Sequence, residues 1–283
     1  VNPSGNVTVT SATTTNTATG NIKVLTGGDI AVNAALTIGS LGAAKALTLQ
    51  AAGDITVAAN TPITTYGGAV IVNSDKDASG SGAIVMNVGS SISTSNASAS
   101  ITLGGGSAGD GSDYAVGNAT NPNGIFIDGA SLMSGGGNIT LRGKSTSGIT
   151  LNNYRANGIR VRDALGNNVI NAGAGQIVMD GVSVSTGSDS AYGIELGYYD
   201  PTNYTTQLNS GSSAATAISL TGVGGTSANN IYQSGVFFNG SASALASGAG
   251  GVNITATSGS KSAAFLTSSG ASINTSTGNA GIT

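Results

Sequence analysis

Aromatic side chains suited to contacting a ligand concentrate in one part of the chain. Seven of the eight tyrosines lie in or beside irregular insertions between residues 104 and 232. Tyrosine offers a large flat surface at low entropic cost and carries one polar group, so it is common in contact surfaces. The same rings could instead pack the insertions against the body of the protein, and the sequence leaves both interpretations open. The candidate ligand-binding tyrosines are Tyr154, Tyr192, Tyr198, Tyr199 and Tyr204.

A second candidate group occupies one outward position on successive repeats of the chain. Its members are Phe126, Arg160, Glu195 and Phe237. Because stacked strands lie about 4.8 Å apart, we expect one exposed ladder in which Arg160 pairs with Glu195 or lies flat over Phe126. Asp128 and Arg162 should form a second adjacent pair. Facing opposite charges stabilise a sheet by about 0.2 to 1 kcal/mol, which explains these residues without a ligand. Alternatively, they form the floor of a groove walled by the tyrosine insertions.

The residues needed for common catalytic and metal sites are missing or scattered. The chain has no His and no Cys, which excludes a Ser–His nucleophile and the commonest metal ligand. Enzymes that degrade polysaccharides on a β-helix use clustered carboxylates, whereas the nearest groupings here lie in loops where Asp also favours turns. These groupings are Asp75 with Asp77, Asp110 with Asp113, and Asp189 with Asp200. The sequence therefore predicts no enzyme, metal or cofactor, with a polysaccharide-degrading enzyme as the weakest alternative.

The elements that would position these side chains are short strands in a repeating set of three. Alternate apolar residues point to one side of a strand. The expected inward pairs of the first strand are Val7/Val9, Ile22/Val24, Leu47/Leu49, Val70/Val72, Ile101/Leu103, Ile139/Leu141, Ile177/Met179, Ile218/Leu220 and Ile254/Ala256, with Ile282 beginning another. Those of the second are Ile30/Val32, Ile55/Val57, Ile84/Met86, Ile125/Ile127, Ile159/Val161, Ile194/Leu196 and Val236/Phe238. The third strand is marked by Leu36, Ile63, Ile92, Leu132, Ile170, Leu245 and Ile273.

A repeat of a few tens of residues is typical of a solenoid, because one unit cannot bury its apolar face without a neighbour. We therefore predict an all-β, right-handed parallel β-helix with three strands per rung and about ten rungs. It should be a single continuous solenoid over 1–283, with loop-bearing rungs over 104–232 whose longer loops protrude from one side. Per-repeat insertions on one face commonly form the binding face of a solenoid. Since the sequence starts and stops partway through a repeat, we expect a fragment of a larger protein.

Composition narrows the class of partner. Charged residues make up 7% of the 283 residues and the net charge is −3, which is a poor match to the basic surface that nucleic acid requires. No run approaches the roughly 18 apolar residues of a membrane span. Gly is abundant at 46 residues, but the 39% hydrophobic share falls in register at strand positions, which favours order over disorder. We expect no nucleic-acid partner and no membrane insertion.

The phrases GGNITL, GGDIAV and AAGDITV, followed by SISTS or PITTYGG, resemble the repeats of filamentous haemagglutinin-type adhesins of the two-partner secretion systems of Gram-negative bacteria. The resemblance covers nearly the whole chain. It implies a long right-handed β-helical filament on, or released from, the outer cell surface, which serves attachment to cells, glycans or other bacteria.

Together these observations predict a segment of a bacterial surface adhesin. Carbohydrate is the favoured ligand class, because exposed aromatic rings beside Asp, Asn and Arg can stack on sugar faces and hydrogen-bond to hydroxyl groups. The expected partners are cell-surface glycans or proteins of a host or of bacteria, and neighbouring rungs of the parent protein. The main alternative is a passive stalk of a giant surface protein that has no ligand of its own.

Overall fold

Three parallel β-sheets wind around one apolar core. A computed structural model describes residues 4–15, 20–95, 99–147, 155–187, 190–198, 204–226, 232–259 and 263–283. Within these ranges the chain forms strands and turns and no helix. The sheets contain ten, nine and nine strands, and each turn of the chain adds one strand to every sheet in parallel register. The predicted parallel β-helix, with three strands per rung and about ten rungs, is confirmed.

The sheets are numbered by the order of the three predicted strands, and the strands are numbered along the chain. Sheet 1 contains β3 (Ile22–Thr26), β6 (Leu47–Ala51), β9 (Val70–Ser74), β12 (Ile101–Gly105), β16 (Ile139–Lys144), β19 (Ile177–Val182), β22 (Thr216–Val223), β25 (Gly251–Thr257) and β28 (Ala280–Ile282), with the short β13 (Ala115–Val116) beside β16. Sheet 2 contains β1 (Val7–Val9), β4 (Ile30–Val32), β7 (Ile55–Val57), β10 (Ile84–Met86), β14 (Ile125–Asp128), β17 (Ile159–Arg162), β20 (Ile194–Leu196), β23 (Val236–Phe238) and β26 (Phe265–Thr267). Sheet 3 contains β2 (Thr13–Thr15), β5 (Leu36–Ile38), β8 (Pro62–Thr65), β11 (Ser91–Thr94), β15 (Ser131–Met133), β18 (Asn168–Asn171), β21 (Thr206–Ser210), β24 (Ala242–Ala246) and β27 (Ser272–Thr275).

The alternation of apolar residues explains the core. In sheet 2, Ile125, Ile159 and Ile194 stack in register on successive rungs and are fully buried. Burial of an aliphatic side chain of this size contributes about 1.5 to 3 kcal/mol, and every rung repeats that contribution against its neighbours. All of the pairs predicted for the second strand lie in sheet 2 at the expected register.

Two predictions at the ends of the first column are wrong. Val7 pairs with Ile30, so the first described strand belongs to sheet 2 and not to sheet 1. Near the other end, Ile254 pairs with Leu220, which shifts the predicted register by two residues. A bulge between β22 and β25 precedes this pairing. Spacing alone does not show a bulge, because the alternation of side chains is preserved when a strand slips by two.

One prediction in the third column is also wrong. Leu245 is 40% exposed, whereas its neighbour Ala244 is buried and pairs with Leu208 on the preceding rung. The pattern predicts the larger residue in the core, whereas the structure places Ala244 there. Leu208, which is fully buried, was missed because the insertion before it breaks the regular spacing.

The long insertions border sheet 2 on both sides. They connect β12 to β14, β16 to β17, β19 to β20 and β22 to β23, and one further long connection joins β20 to β21. Glycines permit the returning chain to approach sheet 1 closely. A Cβ atom added at Gly193 would lie 2.6 Å from the carbonyl oxygen of Gly235 and 2.7 Å from that of Gly181. Only a residue without a side chain fits at such a backbone contact.

Candidate ligand-binding site

A cavity of about 360 Å³ lies on the outer face of sheet 2, between the insertions. We call it the arginine cavity. Its lining residues are Thr120, Asn121, Pro122, Asn123, Phe126, Arg155, Arg160, Arg162 and Tyr198. The volume is at the lower end of the range of about 300 to 1,000 Å³ typical of small-molecule sites. Three of the predicted site residues, Phe126, Arg160 and Tyr198, therefore share one concave surface.

The floor of the cavity is the outward face of β14, β17 and β20. Phe126 pairs with Arg160, and Arg160 pairs with Glu195, on successive strands, as predicted. Asp128 pairs with Arg162 on the same strands. The Nε of Arg162 donates to Oδ2 of Asp128 at 2.9 Å, and its Nη2 contacts the same oxygen. Parallel strands in register thus place every second side chain of sheet 2 into one surface.

Glu195 is the centre of the charge network beneath the cavity. Its carboxylate is completely buried and contacts both Arg155 and Arg160. Asn157 donates to Oε2 at 2.7 Å, and Asn239 donates to Oε1 at 3.4 Å. A buried charge is tolerated only where it is paired and hydrogen-bonded, and Glu195 has both kinds of partner.

Arg160 is less well satisfied than its carboxylate partner. Its Nε lies 2.9 Å from Oε2 of Glu195, but the geometry at Nε is not that of a hydrogen bond. The residue is 9% exposed. Burial lowers the pKa of Arg160, and the Glu195 carboxylate opposes that effect. The guanidinium group has five N–H donors, and among the described residues no hydrogen-bond acceptor is found for them.

Aromatic rings and guanidinium groups alternate around the cavity. Arg160 and Arg162 lie over the Phe126 ring, with 5.7 and 5.2 Å from each guanidinium carbon to the ring centroid. Arg155 and Arg162 lie over the Tyr198 ring at 5.6 and 6.0 Å. A cation within about 6 Å of an aromatic face is attracted to it. Of the four arginines in the chain, three therefore converge here.

One wall of the cavity is the loop that contains Thr120, Asn121 and Asn123. Asp54 holds this loop, since its carboxylate accepts hydrogen bonds from the side chains of Asn118 at 2.7 Å and Asn121 at 2.6 Å. Asp54 also accepts from the backbone N–H of Ala83 at 2.8 Å. An acidic residue two rungs before the cavity therefore anchors the cavity wall.

The opposite wall carries Tyr198, and Asp163 lies beside it. Burial raises the pKa of Asp163 to about 6, although hydrogen bonds from the backbone of Tyr198 and the side chain of Thr206 act in the other direction. The second carboxyl oxygen, Oδ2, is buried, and among the described residues it has no hydrogen-bond partner. Asp163 does not line the cavity, but its contacts help to place the segment that does.

The predicted exposure of the ladder is wrong. Glu195 is fully buried, and Arg160 and Phe237 are each only 9% exposed. The insertions cover this face of sheet 2. Tyr192, also expected at the surface, is 2% exposed and packs on Phe237 with 4.9 Å between ring centroids. Tyr192 and Glu195 therefore present no surface to a ligand in this conformation, and burial raises the pKa of Tyr192.

The other candidate tyrosines divide into two groups. Tyr204 is 40% exposed and does not line the arginine cavity. Tyr154 and Tyr199 lie outside the described residues. Sequence reasoning missed Arg155 and the loop at Thr120–Asn123. The available signal for Arg155 was its position in an insertion five residues before Arg160, but nothing in the spacing predicts that it folds back to Glu195.

A second cavity of about 250 Å³ is lined by Asp75, Asp113, Tyr114, Lys144 and neighbouring residues. The hydroxyl of its tyrosine already has a hydrogen-bond partner, because Tyr114 donates to Oδ2 of Asp180 at 2.8 Å. Burial and that carboxylate raise the pKa of Tyr114 to about 12. Its Asp75 accepts from Ser79 and from the backbone of Gly80. Tyr114 and Asp75 are thus already hydrogen-bonded, so we regard the arginine cavity as the stronger candidate.

Within the described residues, no group of three or more His, Cys, Asp or Glu side chains is placed to hold a metal ion. The same residues include no helix long and apolar enough to cross a membrane. Comparison with known proteins gives no significant match: no protein-family model, no curated protein and no solved structure is significantly similar to this chain. The functional interpretation therefore depends on the geometry of the fold and of the cavity.

Proposed function

We propose that this chain is a rod segment of a bacterial surface adhesin whose loop-bearing face binds carbohydrate on another cell. The observation that carries the proposal is the arginine cavity. It combines two aromatic rings, three guanidinium groups and several amide and hydroxyl groups in a concave site on an otherwise weakly charged solenoid. Aromatic faces and bidentate donors are the groups that recognise sugar rings and their substituents.

The architecture suits an extracellular attachment role. Each rung is hydrogen-bonded to its neighbours along three parallel sheets, which makes a stiff rod from short repeats. The binding groups lie on insertions and on the outward face of sheet 2, so the ladders that hold the rod together remain intact. The export route, the location on a Gram-negative outer surface and the resemblance to filamentous haemagglutinin-type proteins are part of the same proposal.

A passive stalk is the second candidate, and the rungs before residue 96 favour it for that part of the rod. Their connections are short, and the strands β3 to β11 follow one another with few inserted residues. A segment that only projects a distal tip needs no more than this regular rung. The irregular rungs after residue 104 are what separate the two candidates.

Binding of the labelled chain to a broad glycan array tests the proposal. The informative variant is Tyr198→Ala, which removes a wall of the arginine cavity. Tyr204→Ala is its matched control, because Tyr204 is an exposed tyrosine outside the cavity. We expect saturable binding that is lost in Tyr198→Ala and kept in Tyr204→Ala, with both variants folded by circular dichroism.

Two results would count against this function. Absence of binding to every glycan by the folded wild-type chain would leave the passive stalk as the better account. Equal binding by wild type, Phe126→Ala and Tyr198→Ala would show that the ligand is held elsewhere on the chain and would remove the cavity from the proposal.

A further inference from the structure

The arginine cavity carries more positive charge than its partners neutralise. Glu195 contacts both Arg155 and Arg160, and Asp128 contacts Arg162. Three guanidinium groups thus face two carboxylates, which leaves one positive charge among the lining residues and their direct ion-pair partners. The side chains of Arg155 and Arg162 are partly exposed to solvent, whereas that of Arg160 is only 11% exposed, so the unbalanced charge is least hydrated at Arg160.

Arg160 is the arginine of this cavity that lacks a hydrogen bond to a carboxylate. Arg155 and Arg162 each make a direct hydrogen bond to a carboxylate, whereas Arg160 has only the ionic contact to Glu195. Arg160 nevertheless lines the cavity, although only 9% of its surface is exposed. A guanidinium group presents paired N–H donors that match the two oxygens of a carboxylate. An anion with two oxygens in the cavity would use the donors that the protein leaves open.

We propose that the arginine cavity binds the carboxylate of an acidic sugar residue, with Arg160 as its principal partner. This inference rests on the carbohydrate-binding function proposed above and specifies its ligand. One carboxylate from the ligand would bring the carboxylates to three, equal to the number of guanidinium groups. The shared chemistry is that of a carboxylate on a sugar ring, which occurs both in uronic acids and in sialic acids.

The remaining lining groups fit a sugar better than a bare anion. The side-chain N–H of Asn121 donates to Asp54, and the side-chain oxygen of Asn123 accepts from the backbone N–H of Asn157. Among the described residues, the side-chain oxygen of Asn121 and the side-chain nitrogen of Asn123 have no hydrogen-bond partner. Both residues line the cavity together with the exposed Thr120. Hydroxyl groups of a sugar can both donate and accept at such positions. The rings of Phe126 and Tyr198 add apolar surface, which a small inorganic anion would not use.

The experiment measures equilibrium binding of defined oligosaccharides to the intact chain. One arm compares a galacturonic acid oligomer with the same oligomer after reduction of its carboxylates to alcohols. A second arm compares sialyllactose with lactose. A sulfated oligosaccharide without carboxylates and an acidic peptide, poly-glutamate, complete the set. We expect the carboxylated member of at least one arm to bind about 10- to 100-fold more tightly than its neutral counterpart, the range for a charged hydrogen-bonded pair.

The variant that tests the role of Arg160 is Arg160→Met, and Arg142→Met is its control. Arg142 is the one remaining arginine of the chain and does not line the cavity. We expect Arg160→Met to reduce the preference for the carboxylated ligand to less than about threefold, and Arg142→Met to leave it unchanged. If Arg160→Met does not fold, the comparison of carboxylated and reduced ligands on the wild type still decides the question.

The failures of the two proposals can be told apart. Equal binding of carboxylated and reduced sugars would overturn the acidic-sugar inference and leave carbohydrate binding standing. Preference for sulfate over carboxylate, or for poly-glutamate over every sugar, would also overturn it. Absence of binding to all of these sugars and to the whole array would overturn both proposals.

Discussion

Arg160 and Glu195 face each other on adjacent parallel strands, and the Nε of Arg160 lies 2.9 Å from Oε2 of Glu195. The two residues differ in how well they are satisfied. Glu195 is completely buried and has four partners, while Arg160 has this ionic contact and a cation–π contact with Phe126. The carboxylate thus organises the floor of the cavity, and the proposed ligand would pair with the guanidinium group that has no hydrogen bond to that carboxylate.

The first prediction concerns Glu195→Gln. The variant keeps the shape of the side chain but leaves Arg155 and Arg160 without a counter-charge. Breaking a buried pair by removing one partner typically costs about 3 to 5 kcal/mol. We expect a reduction of that order in the free energy of unfolding, measured by denaturant titration. Asp77→Asn is the control, because Asp77 is exposed, and it should change stability by less than about 0.5 kcal/mol. A Glu195→Gln protein as stable as wild type would contradict the buried network.

The pairing in this network was largely predictable and its burial was not. Strand periodicity placed Phe126, Arg160 and Glu195 on one ladder, and the structure has them in that register. Alternation says only that a side chain points away from the core. Whether it meets water depends on the insertions that fold back over sheet 2, and their path is set by contacts such as Asn157 with Glu195. No local pattern encodes such contacts across about 40 residues.

The second prediction separates the two roles of Asp54. Its carboxylate supports the backbone of the next rung and also holds the loop through Asn118 and Asn121. Asp29 plays only the first role, since its Oδ1 accepts from the backbone N–H of Asp54. We therefore expect Asp54→Ala to speed limited proteolysis between residues 117 and 123, and Asp29→Ala not to do so. Similar cleavage rates at this loop in both variants would show that the loop is held by other contacts.

The third prediction tests the corrected core of sheet 3. Leu208 is fully buried, whereas Leu245 is 40% exposed. Truncation of a buried leucine to alanine costs about 2 to 5 kcal/mol because it leaves a cavity. We expect Leu208→Ala to lower the free energy of unfolding by that amount and Leu245→Ala to have little effect. The sequence pattern made the opposite prediction for Leu245, so a large loss of stability in Leu245→Ala would restore it.

The fourth prediction concerns the close backbone approach at Gly193. A methyl group there would lie 2.6 Å from the carbonyl oxygen of Gly235, which is closer than real Cβ contacts allow. We expect Gly193→Ala to displace the insertion before β20 and to lower the midpoint of thermal unfolding by several degrees, since a change of about 1 kcal/mol shifts it by about 2 to 4 °C in a chain of this size. Gly20→Ala is the control, because a Cβ atom there meets nothing within 4 Å. Equal midpoints for the two variants would refute the steric argument.

The fifth prediction follows from Asp163, whose pKa is raised by burial from 3.8 to about 6. A carboxyl group with a higher pKa in the folded state binds its proton more tightly there. Its contribution therefore favours the folded state most at low pH, where the group is protonated in both states, and declines as the pH rises from about 4 to about 6. Above that range the folded protein carries a buried carboxylate with an oxygen that lacks a partner among the described residues, at a cost of about 3 kcal/mol.

Asp163→Asn removes this titration. We expect the variant to be more stable than wild type at pH 7.5 and to lose that advantage at pH 4, as measured by denaturant titration at both values. The hydrogen bonds from Tyr198 and Thr206 can be retained by the amide oxygen, so the wall of the cavity should stay in place. A constant difference between variant and wild type across the pH range would mean that Asp163 titrates normally, with its carboxylate reached by water.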